Sequence, residues 1–134
     1  MANKLKVLVV DDDDVVRVQL ASLLTAAQHM AFQLPSAIGV TRAVMQHQVD
    51  VVAIDIMMPS LPGDKLASLL RQNAKLKHLG VVLISSRPVE ELQQLADEVS
   101  ADAVVAKDSL RTDFVPAIER AARARAGLAR GKTG

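Results

Sequence analysis

The chain has 134 residues, 50% apolar and 23% charged, with 16 Lys and Arg against 15 Asp and Glu for a net charge of +1. That length fits one domain with its own core, and the charge balance excludes a strongly basic nucleic-acid binder on bulk electrostatics. There is no Cys, which excludes a disulfide scaffold, a thiolate metal site and a cysteine nucleophile; two Phe, with no Tyr or Trp, leave little to stack on bases, flavins or sugars.

The first element is the apolar run LKVLVV at 5–10, read as a strand. Its preceding residues lack the length and cleavage site of a signal peptide, and no run in the chain approaches the roughly 18 apolar residues of a membrane span. A cytoplasmic location with no membrane partner is expected. Val16, Leu20, Leu23, Leu24 and Ala27 then form one helical stripe, with Asp14 fitting the N-cap. MAFQL at 30–34 alternates poorly and suits an edge strand. Ser36 can cap a second helix carrying Ala37, Val40 and Val44. VVAI at 51–54 is a third strand, followed by a helix on Leu66, Leu69 and Leu70 that opens at Pro62-Gly63. VVLI at 81–84 precedes a helix on Leu92, Leu95, Ala96 and Val99, with Pro88 near its start. AVVA at 103–106 is the last strand. The final helix carries Phe114, Ile118, Ala121 and Ala122, and Thr112 or Asp113 as its N-cap would place Pro116 in the first turn.

Continuously apolar strands alternating with helices predict a doubly wound α/β chain, (βα)5, with a parallel sheet covered on both faces. Residues 1–126 are expected as one unit. Residues 127–134 read as a basic flexible tail, either a solvated helix end or a linker to a further domain. His29, His47 and His78 show no ligand spacing and are expected at the surface or at helix ends. Met45 and Met57-Met58 are expected as core filler or turn residues. The absence of G-x-G-x-x-G and P-loop motifs argues against a dinucleotide or nucleoside triphosphate site.

Ligands of open α/β sheets bind outside the carboxyl ends of the strands. There the sequence places Asp11 to Asp14, Asp55, Ser85 with Ser86, and Lys107. Converging carboxylates repel one another unless a cation joins them, and Mg2+ takes such oxygen ligands. A cation, an ammonium and a hydroxyl together suit a phosphoryl group, for which a carboxylate can be the acceptor. Asp55, at the central strand, is the candidate. Each residue alone has an ordinary structural explanation as a cap or turn; the set at four strand ends is the specific signal.

These residues resemble the receiver domain of bacterial two-component response regulators over residues 4–126. The resemblance lies in VLVVDDD at 7–13 with Arg17, DIMMPSLPG at 55–63, Ser85 and Lys107. It implies a flavodoxin-like strand order 2-1-3-4-5. It implies that Asp55 accepts a phosphoryl group from a partner histidine kinase or phosphotransfer protein, and that Asp12, Asp55 and the Met57 carbonyl bind Mg2+. It implies that Asp11 acts on the ion through water, and that Ser85 and Lys107 contact the phosphoryl group. Such a chain is not an enzyme in its own right. It changes its binding of a downstream protein, is a monomer or weak dimer, and has no direct nucleic-acid contact.

Three positions depart from the family pattern: Asp108 stands where Pro usually follows the lysine, Val104 where a Tyr or Phe rotamer switch is usual, and Ser86 where Ala is common. Without the ring, a signal is expected to travel through the loop after Ser85 and the 88–98 helix. The bond before Asp108 is expected to be trans, since a cis non-proline bond costs roughly 3–4 kcal/mol. Two alternatives remain open. Asp11-x-Asp13-x-Val15 resembles the nucleophile motif of haloacid-dehalogenase-type phosphohydrolases. A receiver-fold interaction module that is not phosphorylated is the other.

Overall fold

The computed structural model describes residues 4–59 and 61–128. Its strands are β1 (Lys6–Val10), β2 (Met30–Leu34), β3 (Val51–Asp55), β4 (Gly80–Ser85) and β5 (Ala103–Ala106). Its helices are α1 (Asp14–Ala26), α2 (Val40–His47), α3 (Gly63–Gln72), α4 (Val89–Val99) and α5 (Leu110–Arg125). All strand pairs are parallel, in the order β2-β1-β3-β4-β5. The doubly wound (βα)5 sheet is therefore as expected, with β2 on an edge. None of the helices among the described residues is long and apolar enough to cross a membrane.

The alternation of side chains along each strand divides the core in two. Leu8, Val52, Ile54 and Leu83 face α2, α3 and α4. Val7, Val9, Ala53 and Ile84 face α1 and α5, around the fully buried Phe114. Every residue of β3 is buried because helices cover both its faces, which is why it reads as an unbroken apolar run.

The helix starts correct several expectations. Asp13, not Asp14, caps α1: its Oδ1 accepts from the N–H groups of Val15 and Val16 at 2.9 and 3.2 Å. The Asp13 N–H itself donates to Asp11 Oδ1, a turn that fixes the chain one residue earlier. Asp14 is left to pair with Arg17 at 2.6 Å. Ser36 does not cap α2. Its Oγ accepts from the Ile38 N–H, and the helix starts only after Gly39, whose φ of +83° breaks the path between them.

Neither Thr112 nor Asp113 caps α5. The Lys107–Asp108 bond is trans, residues Lys107–Ser109 form a 3-10 turn, and the helix starts at Leu110, whose side chain is drawn into the core. Pro116 is consequently in the helix interior, at an exposed position; the carbonyl it leaves without a donor belongs to exposed Thr112 and is open to water. His29 is not a surface residue. It is buried, accepts from the Leu5 N–H at Nδ1, and so carries its proton on Nε2, 3.0 Å from Glu119 Oε2. His47, in the last turn of α2, stacks on Phe32. Met58 is core, whereas Met57 and Met45 are exposed. Of the expected tail, Gly127 and Leu128 follow α5, and 129–134 lie outside the described residues.

Candidate functional site

The order of strands reverses between β1 and β3, and the crevice above that point holds the acids. Asp55 and Ser85 are the last residues of β3 and β4, rather than the first residues beyond them. Asp11 follows β1 directly. Asp11, Asp55 and Ser85 are buried and Asp12 is exposed, so the cluster opens to solvent on one side. One carboxylate oxygen from each of Asp11, Asp12 and Asp55 lies within 4.8 Å of the others. Lys107 enters from the end of β5, with Nζ 3.2 Å from Asp55 Oδ2 and 3.8 Å from Asp11 Oδ2.

Backbone geometry aims these groups. The Met57 N–H donates to Asp55 Oδ1 at 3.0 Å, and the Arg87 N–H donates to Ser85 Oγ at 3.1 Å. Arg17 donates from Nη1 to the Asp11 carbonyl at 2.9 Å, bracing the acid from α1. Gly63 lets the β3–α3 loop fold back: a Cβ there would be 2.4 Å from the Asp55 carbonyl oxygen, a distance no side chain tolerates. Its amide donates to the Ile56 carbonyl at 3.0 Å. The Gly63 and Arg17 positions were legible in the motif, but their contacts were not.

Electrostatically the cluster is unbalanced. Three carboxylates face one ammonium, and Asp11 Oδ2 is buried without a hydrogen-bond donor. Burial, with Asp55 adding to it, pushes the Asp11 carboxyl up from 3.8 to about 6, although the Asp13 N–H and Lys107 act the other way. An orphaned buried oxygen beside two further carboxylates offers oxygen ligands of the kind a hard divalent cation takes.

The raised value has a testable sign. The folded state prefers the protonated Asp11, so this stabilisation is complete below pH 3.8 and lost as pH rises through about 6. With chelator present, the Asp11 contribution to stability should therefore fall between these limits by about 2–3 kcal/mol. Asp11→Asn should flatten that interval in urea titrations, and added Mg2+ should raise the melting temperature more at pH 7 than at pH 5. Equal Mg2+ effects at both values would contradict the electrostatic picture.

The sequence matches the response regulator receiver domain family over residues 7–119. The gliding motility regulatory protein of Myxococcus xanthus is 28% identical over 120 residues, covering 89% of this chain and 15% of that protein. The sensory/regulatory protein RpfC of Xanthomonas campestris is 29% identical over 108 residues, 79% of this chain and 15% of the relative. The chain thus spans about 15% of the length of these curated relatives. Among solved structures, a response regulator of Chloroflexus aurantiacus aligns with a TM-score of 0.83 at 21% identity, covering 90% of this chain and 99% of that one. The chemotaxis protein CheY4 of Vibrio cholerae aligns with a TM-score of 0.80 at 19% identity, covering 89% and 99%. The chain belongs to the response regulator receiver domain family of two-component signalling.

Proposed function

We propose that the chain, with residues 1–126 as its folded unit, is a phosphoacceptor receiver that works in the cytoplasm as a monomer or weak dimer. Asp55 takes a phosphoryl group from the histidine of a partner kinase or phosphotransfer protein. The observation that carries this is the position of Lys107 Nζ, within 4 Å of both Asp55 and Asp11 at the mouth of the carboxylate cluster.

An Asp55 oxygen attacks phosphorus, the P–N bond to the donor imidazole breaks, and the imidazole leaves with a proton from solvent. Asp55 is held for this by the Met57 N–H at Oδ1 and by the Lys107 ammonium at Oδ2. Lys107 balances the negative charge spread over the phosphoryl oxygens. Ser85, whose Oγ among the described residues accepts the Arg87 N–H alone, keeps its hydroxyl proton for a phosphoryl oxygen. Asp12, Asp55 and the Met57 carbonyl would hold Mg2+, with Asp11 acting through water; bound there, the ion neutralises the acids and the incoming phosphate.

Asp11 has less support as a nucleophile. The Lys107 ammonium, the fixed positive charge of the cluster, stands nearer Asp55, at 3.2 Å from its Oδ2, than Asp11, at 3.8 Å. Phosphorylation would then alter the binding of a downstream protein, with no chemistry on a further substrate. Intact-mass measurement after incubation with acetyl phosphate tests the proposal. Wild type should gain one phosphoryl group only with Mg2+ present, and Asp55→Asn should gain none. No uptake by wild type would favour a receiver-fold interaction module that is not phosphorylated.

A further inference from the structure

A groove runs from the β3–α3 loop along α4. At its upper end a cavity of about 460 Å3 is lined by Ile56, Met57 and Met58 on one side and Arg87 and Leu95 on the other, with Asp64 at its edge. A second hollow of about 210 Å3 continues from Arg87 and Leu95 to Glu91 and Glu98. The floor is apolar: Leu92 is buried and Leu95 packs against the core. The rim is charged, and the side chains of Asp64, Arg87, Glu91 and Glu98 form no ion pair or hydrogen bond with any described residue.

The pattern on α4 has a definite complement. Glu91, Leu95 and Glu98 stand at i, i+4 and i+7, so they share one stripe, with the two carboxylates about 10 Å apart along the axis. α4 carries Glu90, Glu91, Asp97 and Glu98 and no Lys or Arg. We propose that this groove docks a helix of a partner protein that presents an apolar side chain between two cations two turns apart. Arg87 at the N-terminal end of the stripe favours the negative C-terminal end of that helix, which would therefore lie antiparallel to α4.

The groove also adjoins the acidic site through two short loops. Met57 and Arg87 line it, and their backbone N–H groups are the ones that donate to Asp55 and Ser85. Any shift of either loop on phosphorylation changes the groove wall, and by reciprocity an occupant changes the site. This coupling rests on the reading of Asp55 as the acceptor; the docking does not.

The probe is a fluorescein-labelled, alanine-based helical peptide with Lys, Leu and Lys at i, i+4 and i+7, and its counterpart with Glu in place of both Lys. Fluorescence anisotropy with the full chain should show the Lys peptide binding at least about tenfold more tightly than the Glu peptide. Glu91→Gln with Glu98→Gln, and separately Leu95→Asp, should weaken the Lys peptide about fivefold or more. Ile38→Asp, on an exposed residue of another loop, should leave it unchanged. Equal affinity for both peptides, or no loss in the double variant, overturns the docking site. So does sedimentation showing that wild type dimerises and the double variant does not, because a second copy would then be the occupant. Acetyl phosphate with Mg2+ should shift the wild-type Kd by about fivefold and leave Asp55→Asn unmoved. Uptake of the phosphoryl group with no shift overturns the coupling. No uptake at Asp55 overturns the phosphoacceptor reading, and the peptide arm on untreated protein still decides the docking.

Discussion

Asp102→Ala should cost roughly 3–5 kcal/mol of stability, the largest loss expected from any single polar side chain described here. Asp102 precedes β5 and stands between the guanidinium groups of Arg71 and Arg125. Its Oδ2 accepts from Arg71 Nη2 at 2.6 Å and from the Val81 N–H at 2.8 Å; its Oδ1 accepts from Arg125 Nε at 2.8 Å. Arg71 also donates to the carbonyls of Leu79 and Ser100 at 2.6 and 2.8 Å. The node thus ties the ends of α3, α4 and α5 to the start of β4. Burial lowers the Arg71 pKa, and Asp102 is the group that opposes this. Without Asp102, two partly buried cations face each other and the Val81 amide loses its acceptor. Urea denaturation measures the loss, and Asp102→Asn, which keeps one acceptor, should fall between wild type and Ala. A loss below about 1 kcal/mol would show that the pairs are no better than surface ion pairs.

Lys107→Ala should slow phosphoryl uptake from acetyl phosphate on the order of 10²-fold, the usual effect of removing one preorganised electrostatic donor. The ammonium is the only cation within 4 Å of the Asp11 and Asp55 carboxylates among the described residues. Its removal leaves an anionic donor approaching three acids with no fixed positive charge. Lys107→Arg keeps the charge but spreads it over a planar group that cannot fill the same point position. It should recover part of the rate. Stopped-flow or intact-mass time courses at saturating Mg2+ read both. An unchanged rate in Lys107→Ala would remove the lysine from the chemistry.

The elements were legible because a two-faced parallel sheet demands continuous apolar runs in β1, β3, β4 and β5, while the weaker run at 30–34 marked the edge strand β2. The site was legible for a related reason. Strand pairing fixes what lies at a strand's carboxyl end, so Asp11, Asp55, Ser85 and Lys107 had to converge once the topology was known. Helix starts were less legible. Four consecutive Asp residues offer four possible caps, and the choice of Asp13 follows from a hydrogen bond made by Asp11. Gly39 and the 3-10 turn at 107–109 displace the starts of α2 and α5 through backbone geometry that composition does not encode. Buried His29 finds its partner in Glu119, 90 residues away. The Asp102 node joins three helix ends through contacts up to 31 residues apart, and no local spacing announces it.

The most direct measurement is to locate the phosphorylated carboxylate. Sodium borohydride reduces an aspartyl phosphate to homoserine, and tandem mass spectrometry of the resulting peptides reads its position. After treatment with acetyl phosphate and Mg2+, homoserine should appear at position 55 and nowhere else. Homoserine at position 11, with 55 intact, would contradict the assignment of Asp55 and make Asp11 the nucleophile.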